Sequence, residues 1–156
     1  MSEKFDTLKA AEQAAICHSS GRYPLAVARA QGNRLWDLDG KEYVDLLAGI
    51  AVVALGHSRP ELLQVINEQY GKLVQVSNLF YQEEQVTLAG KLQATCEAGR
   101  VFFCNSGAEA NEAAIKLARR YMRKVKGRDA FEIVSLLDSF HGRTMGALAA
   151  TGQPKL

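Results

Sequence analysis

The sequence has 156 residues, of which 47% are hydrophobic and 23% are charged, and its formal net charge is +2. This composition is ordinary for a globular domain with a hydrophobic core, and it excludes a disordered chain. The small net charge gives no indication of nucleic-acid binding, so we expect no nucleic-acid partner.

The cysteine and apolar patterns predict the compartment in which the protein works. Cys17, Cys96 and Cys104 are odd in number and form no Cys-x-x-Cys pair, which argues against a disulfide framework or structural zinc. The histidines are also far apart, so we predict no metal site. The N-terminus leads into no apolar signal region, and the longest apolar stretch, Leu46 to Leu55, is too short to span a bilayer. We therefore expect a cytoplasmic protein without membrane contacts.

The first third of the chain predicts a helix followed by a small antiparallel meander. Apolar residues spaced along Glu3 to Cys17 indicate an amphipathic helix. Asp39-Gly40 predicts a hairpin turn within the meander. The segment 46–57 has no clean period and is either buried irregular chain or a buried strand. The predicted strands of the meander are 25–28, 33–38 and 42–45.

Two further amphipathic helices are predicted before the middle of the chain. Pro60 suits a first helical position and begins one helix, and the second runs from about Glu83 to Thr95. Between them, the segment from Val76 to Tyr81 is rich in groups that can contact a ligand. A hydrophobic hinge explains this segment as well.

The stretch from Val101 to Lys116 predicts a strand, a tight turn and a helix. Its first four residues are apolar and indicate a strand buried on both faces. Ser106 precedes Glu109 by three residues, which is the spacing of a capping box, so the helix begins after Ser106. Gly107 allows close approach to the helix N-terminus, where we expect a phosphate. A well-capped helix without a ligand is the alternative that this local spacing leaves open.

A second strand is predicted after this helix, from Phe131 to Leu136. A strand, a helix and a strand at this spacing form one right-handed βαβ unit of a parallel sheet. Ligands bind beyond the carboxyl ends of such strands. We therefore expect the Asn105–Gly107 turn and the Asp138–Thr144 loop to open on the same crevice.

As a set, these motifs resemble the N-terminal part of the class III (subgroup II) aminotransferases, which depend on pyridoxal 5'-phosphate. The resemblance covers nearly the whole chain beyond the first twenty residues. The residues that carry it are Asp39-Gly40 with Tyr43-Val44-Asp45, Gly49–Val52, Leu55–His57 with Pro60, Val76–Phe80, Phe103–Ala113, and Ser139–Thr144 continuing to Ala150–Lys155.

The resemblance implies an α/β fold, the N-terminal part of the type I fold of PLP-dependent transferases. A helix and a small antiparallel meander would precede the start of a mostly parallel large-domain sheet with flanking helices. Residues 1–75 would form the N-terminal arm and small-domain segment. Residues 76–156 would begin the large cofactor-binding domain.

The resemblance also implies which residues bind the cofactor. In this family the backbone of the Ser-Gly-Ala turn holds the cofactor phosphate, a role that falls here to Ser106, Gly107 and Ala108. The aromatic residue of the Phe-His-Gly-Arg motif stacks on the pyridine ring, which implies that role for Phe140.

The substrate-binding residues are implied in the same way. The arginine of the same motif binds the substrate α-carboxylate in the family, so this role falls to Arg143, whose planar guanidinium suits a two-point grip. Asn78 and Tyr81 lie in the segment that lines the substrate end of the pocket.

Within the family the resemblance is strongest to the members that use N2-acetylornithine. It implies a homodimer that transfers the amino group of N2-acetylornithine to 2-oxoglutarate in arginine biosynthesis. Succinylornithine, ornithine, 4-aminobutyrate and acetyl-lysine stay open as amino donors, as does a non-catalytic phosphate-binding half-fold. The Schiff-base lysine of the family lies downstream of Leu156, so we expect this chain to lack a catalytic residue of that kind and to be inactive alone, either as an N-terminal fragment or as a truncated gene product.

Overall fold

The computed structural model describes residues 2–97 and 99–155 and divides the chain between Phe80 and Tyr81 into an N-terminal unit and a C-terminal unit. The domain boundary predicted between residues 75 and 76, with the domain roles attached to it, stays a prediction. Within the described ranges, no helix has the length and apolar character needed to cross a membrane.

The N-terminal unit begins with the predicted amphipathic helix, α1 (Glu3–Ala15). Its N-cap, Ser2, accepts a hydrogen bond from the backbone N–H of Phe5. This bond satisfies one of the donors that the start of a helix leaves unpaired. Arg22 pairs with Glu12 at 2.7 Å, so the chain after α1 returns along the helix before the first strand.

The predicted meander is confirmed as a three-stranded antiparallel sheet. The strands, in sheet order, are β1 (Val27–Gln31), β2 (Arg34–Asp37) and β3 (Glu42–Val44). In the predicted turn, Asp37 Oδ1 accepts hydrogen bonds from the N–H groups of Asp39 and Lys41 at 3.0 and 2.9 Å. Across β1 and β2, the Arg29 guanidinium lies 3.6 Å from the centroid of the Trp36 ring, a cation–π contact between paired residues.

Of the two alternatives predicted for 46–57, irregular chain is confirmed. The segment contains a short helical turn, α2 (Ala48–Ala51), in which all four residues have φ between 48° and 64°. Such left-handed conformations are unfavourable for residues other than glycine, so they persist only where neighbouring contacts impose them.

Asp45 and His57 provide these contacts at the two ends of the segment. Asp45 Oδ1 accepts hydrogen bonds from the N–H groups of Leu47 and Ala48, each at 2.9 Å, and Oδ2 lies 2.7 Å from Nε2 of His57. His57 also exchanges two backbone hydrogen bonds with Gly32, at 2.8 and 2.9 Å. The segment is therefore closed into a loop and held to the turn between β1 and β2.

The two predicted helices that follow are also confirmed. They are α3 (Pro60–Lys72), with proline in its first turn as expected, and α4 (Glu83–Thr95). The segment between them contains a turn in which the N–H of Phe80 bonds to the carbonyl of Ser77 at 3.5 Å.

The C-terminal unit is built around the predicted central helix, α5 (Gly107–Lys124). A shorter helix that we did not predict, α6 (Met145–Ala150), packs against it. Within the described ranges, Ala147 on α6 is the one hydrophobic residue that is fully buried. The contact between α5 and α6 is therefore the centre of this unit.

The prediction of two strands beside α5 is wrong. Neither Val101–Cys104 nor Phe131–Leu136 forms a strand in the part of the chain that the structure describes. A strand exists only beside a partner that completes its hydrogen-bond ladder, and no described backbone hydrogen bond joins either segment to another extended segment. Most of their apolar side chains are accordingly exposed, Phe102 and Val134 among them. Of the predicted βαβ unit, the described residues form the helix and the two loops but neither of the two strands.

Candidate functional site

The N-terminus of α5 is capped as the sequence predicts, with one difference. Ser106 is the N-cap, and its Oγ accepts a hydrogen bond from the N–H of Glu109 at 3.2 Å. The Glu109 carboxylate accepts in return from the N–H of Asn105 at 2.7 Å, one residue before the donor of a standard capping box. The turn is therefore held from both sides by side-chain hydrogen bonds.

The backbone at this turn has the properties of an anion site. Among the described contacts, the N–H groups of Gly107 and Ala108 have no acceptor, as expected in the first turn of a helix. A Cβ built on Gly107 would meet no atom within 4 Å, and its φ is not positive. Among the described residues, no contact requires glycine at 107, so the space in front of the two unpaired N–H groups is open to an anion such as a phosphate.

The second predicted loop carries Phe140 and Arg143. The Phe140 ring is 56% exposed. The Arg143 guanidinium lies 5.7 Å from the centroid of this ring and, among the described ion pairs, has no carboxylate partner. A flat apolar face and an available planar cation therefore lie side by side.

The structure brings the turn and the loop together, as the predicted crevice requires. Gly142 has φ of 131°, and a Cβ built there would lie 2.6 Å from the Cβ of Ala108. Nδ2 of Asn111 donates a hydrogen bond to the carbonyl oxygen of His141 at 2.6 Å. The two loops therefore meet through α5 itself, without the parallel strands that were expected to deliver them.

Comparison with known proteins identifies the family. The model of the class-III aminotransferase family matches residues 15–156, nearly the whole chain. The chain belongs to the class-III aminotransferases. Enzymes of this family use pyridoxal 5'-phosphate.

Individual class-III aminotransferases agree with this assignment. The acetylornithine aminotransferase of Synechocystis sp. is 51% identical over 143 residues, which are 90% of this chain and 33% of the relative. The chain thus spans about a third of the length of the curated relatives that it matches.

Solved structures of the family share the fold. The ornithine aminotransferase from Toxoplasma gondii superposes with a TM-score of 0.90 at 26% identity, covering 96% of this chain and 36% of that one. The acetylornithine aminotransferase from Elizabethkingia anophelis gives 0.74 at 32% identity, covering 80% and 33%. The predicted fold class, the N-terminal part of the α/β fold of these PLP-dependent enzymes, is confirmed.

Sequence reasoning missed Glu112, a residue of α5 that binds the end of the loop carrying Phe140 and Arg143. Its Oε1 accepts hydrogen bonds from the Thr144 hydroxyl at 2.7 Å and from the N–H groups of Gly146 and Ala147 at 2.8 and 3.3 Å. The Thr144 hydroxyl, followed by the N–H of Gly146, holds the pKa of the Glu112 carboxyl below its usual range, so the group is an anionic acceptor at neutral pH.

A signal in the sequence could have revealed Glu112 together with Asn111. Both lie three or four residues from Ala108 and from Ile115, which places them on one face of α5. All four of these residues are partly buried. Two polar residues on the inner face of a helix require hydrogen-bond partners, and the partners here come from the following loop.

Two predicted site residues, Asn78 and Tyr81, have no contact that supports a role. Asn78 lies in the exposed turn before Phe80, and the side chain of Tyr81 is fully exposed. Within its own unit, neither side chain forms a hydrogen bond with another described residue. Their roles stay predictions.

Proposed function

We propose that this chain provides the phosphate turn and the carboxylate-binding loop of an aminotransferase. The observation that carries the proposal is the contact of two features at the start of α5: a turn with unpaired N–H groups and a loop that presents an aromatic ring beside an arginine. Phosphate, pyridine ring and carboxylate are the three groups that these features recognise.

Ser106, Gly107 and Ala108 hold the phosphate of pyridoxal 5'-phosphate in this proposal. The N–H groups of Gly107 and Ala108 donate to its oxygens, and the Ser106 hydroxyl, which already accepts from Glu109, is free to donate its own proton. Phe140 covers one face of the pyridine ring. When bound, the cofactor supplies an electron sink that the protein side chains lack.

Arg143 orients the amino donor and the oxo acid through their α-carboxylates, because its guanidinium can donate two parallel hydrogen bonds. Asn78 and Tyr81 line the substrate end of the pocket. We propose N2-acetylornithine as the amino donor and 2-oxoglutarate as the acceptor, in arginine biosynthesis. The names of the curated relatives support the donor.

The remaining parts of the proposal concern the whole protein, of which we propose residues 1–156 to be the N-terminal part. We propose a homodimer that works in the cytoplasm and binds no nucleic acid. Ornithine, succinylornithine, 4-aminobutyrate and acetyl-lysine are the competing donors, and each is tested by the ratio of its kcat/KM to that of N2-acetylornithine.

Pyridoxal phosphate titration of the full-length apoprotein tests the phosphate turn. Gly107→Asp places a carboxylate against the phosphate, so the apparent Kd should rise by about two orders of magnitude or more, as expected for like charges in contact. Gly90→Asp is the matched control, because a Cβ at Gly90, within α4, also meets no atom within 4 Å. It should bind the cofactor like the unaltered protein. Undiminished affinity in Gly107→Asp would rule out this turn as the phosphate site.

A further inference from the structure

The loop that carries Phe140 and Arg143 needs external support. Residues 137–144 contain no helix or strand, and the side chains of both Phe140 and Arg143 are exposed. Neither side chain is fixed by packing of its own. Their position relative to the phosphate turn therefore depends on the contacts that hold the backbone of the loop.

Glu112 holds the end of the loop that leads into α6. Its Oε1 accepts hydrogen bonds from the hydroxyl of Thr144, which is the N-cap of α6, and from the N–H groups of Gly146 and Ala147. The approach is close, since a Cβ built on Gly146 would lie 2.6 Å from Oε2 of Glu112. A single carboxylate oxygen thus accepts three hydrogen bonds from the residues that follow Arg143.

Asn111 and Ala108 hold the middle of the loop from the same helix. Asn111 donates to the carbonyl oxygen of His141, and Gly142 lies against Ala108, where a side chain would not fit. Ala108 belongs to the phosphate turn and Glu112 lies one helical turn later, about 6 Å along the axis at 1.5 Å per residue. The helix that begins with the phosphate turn is therefore also the support of the loop.

We propose that Glu112 and Asn111 are positioning residues, which set the distance between the phosphate turn and the carboxylate-binding loop through the rigid backbone of α5. The inference rests on the proposed function, because it takes Arg143 to bind the substrate carboxylate. Loss of this support displaces Arg143 while the phosphate turn, which is capped separately by Ser106 and Glu109, stays in place. Small displacements of a positioning group are costly to substrate orientation.

Three variants of the full-length protein test this division of roles. Glu112→Ala removes the acceptor, and Glu112→Gln keeps an oxygen at the same position. Glu132→Ala is the control, since the side chain of Glu132 forms no hydrogen bond with any described residue. For each variant, we would measure amide hydrogen exchange of residues 140–147 in the apoprotein, the Kd of pyridoxal phosphate, and kcat and KM for both substrates.

In Glu112→Ala we expect exchange at 140–147 and the KM of both substrates to rise by about tenfold or more, with the cofactor Kd changed by less than about twofold. Glu112→Gln should recover most of the loss, and Glu132→Ala should match the unaltered protein. If Glu112→Ala does not fold, Thr144→Val removes one donor and should raise both KM values by about fivefold, the effect of losing one typical hydrogen bond.

Several results would overturn the inference. In Glu112→Ala, these are unchanged exchange at 140–147, faster exchange with unchanged KM values, or a cofactor Kd that rises as much as the KM values. A Glu112→Gln variant as defective as Glu112→Ala would overturn it as well. An unaltered protein that binds no pyridoxal phosphate or has no turnover would instead refute the proposed function. The exchange measurement would then still decide whether Glu112 holds the loop.

Discussion

The proposed carboxylate-binding role of Arg143 can be tested at the level of a single side chain. It is exposed, lies beside the Phe140 ring and has no described carboxylate partner. Arg143→Lys keeps the positive charge but loses the planar two-point grip, so we expect a rise in KM for amino donor and oxo acid of about one order of magnitude or more. Retention of pyridoxal phosphate should change little.

Steady-state kinetics of the full-length protein measure this effect. Arg120→Lys, the same substitution on the exposed face of α5, provides the control and should leave both constants unchanged. If neither KM moves in Arg143→Lys, Arg143 has a structural role and another residue binds the carboxylate.

At the level of elements, the loop 46–57 depends on the ionisation of one carboxyl group. The His57 side chain, followed by the N–H of Ala48, lowers the pKa of Asp45 below its usual value. The folded-state pKa is therefore below the unfolded one, so the stabilisation is complete above about pH 4 and is lost as the pH falls through the folded pKa. Amide protection factors at Leu47 and Ala48, which donate to Asp45, should fall as the pH is lowered below about pH 4.

Asp45→Asn separates this effect from general acid unfolding. An amide oxygen at this position does not titrate, so the protection of Leu47 and Ala48 should be lower at neutral pH but should depend less on pH. Asp39→Asn is the control, because the Asp39 side chain forms no hydrogen bond in the described ranges, and it should behave like the unaltered protein. Equal pH dependence in Asp45→Asn would contradict the assignment.

The elements that the sequence predicts correctly are those that local residues determine. Ser106 caps α5 through Glu109, three residues away, and the turn between β2 and β3 is closed by Asp37 within four residues. The strands predicted at 101–104 and 131–136 failed because a parallel strand requires a neighbour that local sequence does not specify. Glu112 was missed for a related reason, since its partners lie 32 to 35 residues later.

Across the molecule as a whole, many large apolar side chains of the described residues are exposed. The side chains of Leu46, Val134, Leu137 and Met145 are between 88% and 95% exposed. A groove between α5, α6 and the 131–134 segment is lined mostly by apolar residues, with two charged residues beside them: Ile115, Phe131, Ile133, Val134, Gly146, Ala149 and Ala150, with Arg119 and Glu132. Exposed apolar surface on this scale marks an interaction or aggregation site.

We therefore expect residues 1–156, expressed alone, to bind a hydrophobic dye such as anilinonaphthalene sulfonate and to associate. Dye fluorescence and sedimentation velocity measure the two effects, with the full-length protein as the comparison. A monodisperse monomer that does not bind the dye would show that the apolar segments find partners within the chain.

The contact of Arg29 with Trp36 has a practical consequence for spectroscopy. Trp36 is the single tryptophan of the 156 residues and lies in the N-terminal unit. Indole emission from this chain therefore reports on the meander, whereas the chromophore of a pyridoxal group bound at the proposed phosphate turn would report on the start of α5 in the C-terminal unit. One denaturant titration can follow the unfolding of the two units separately without an introduced label.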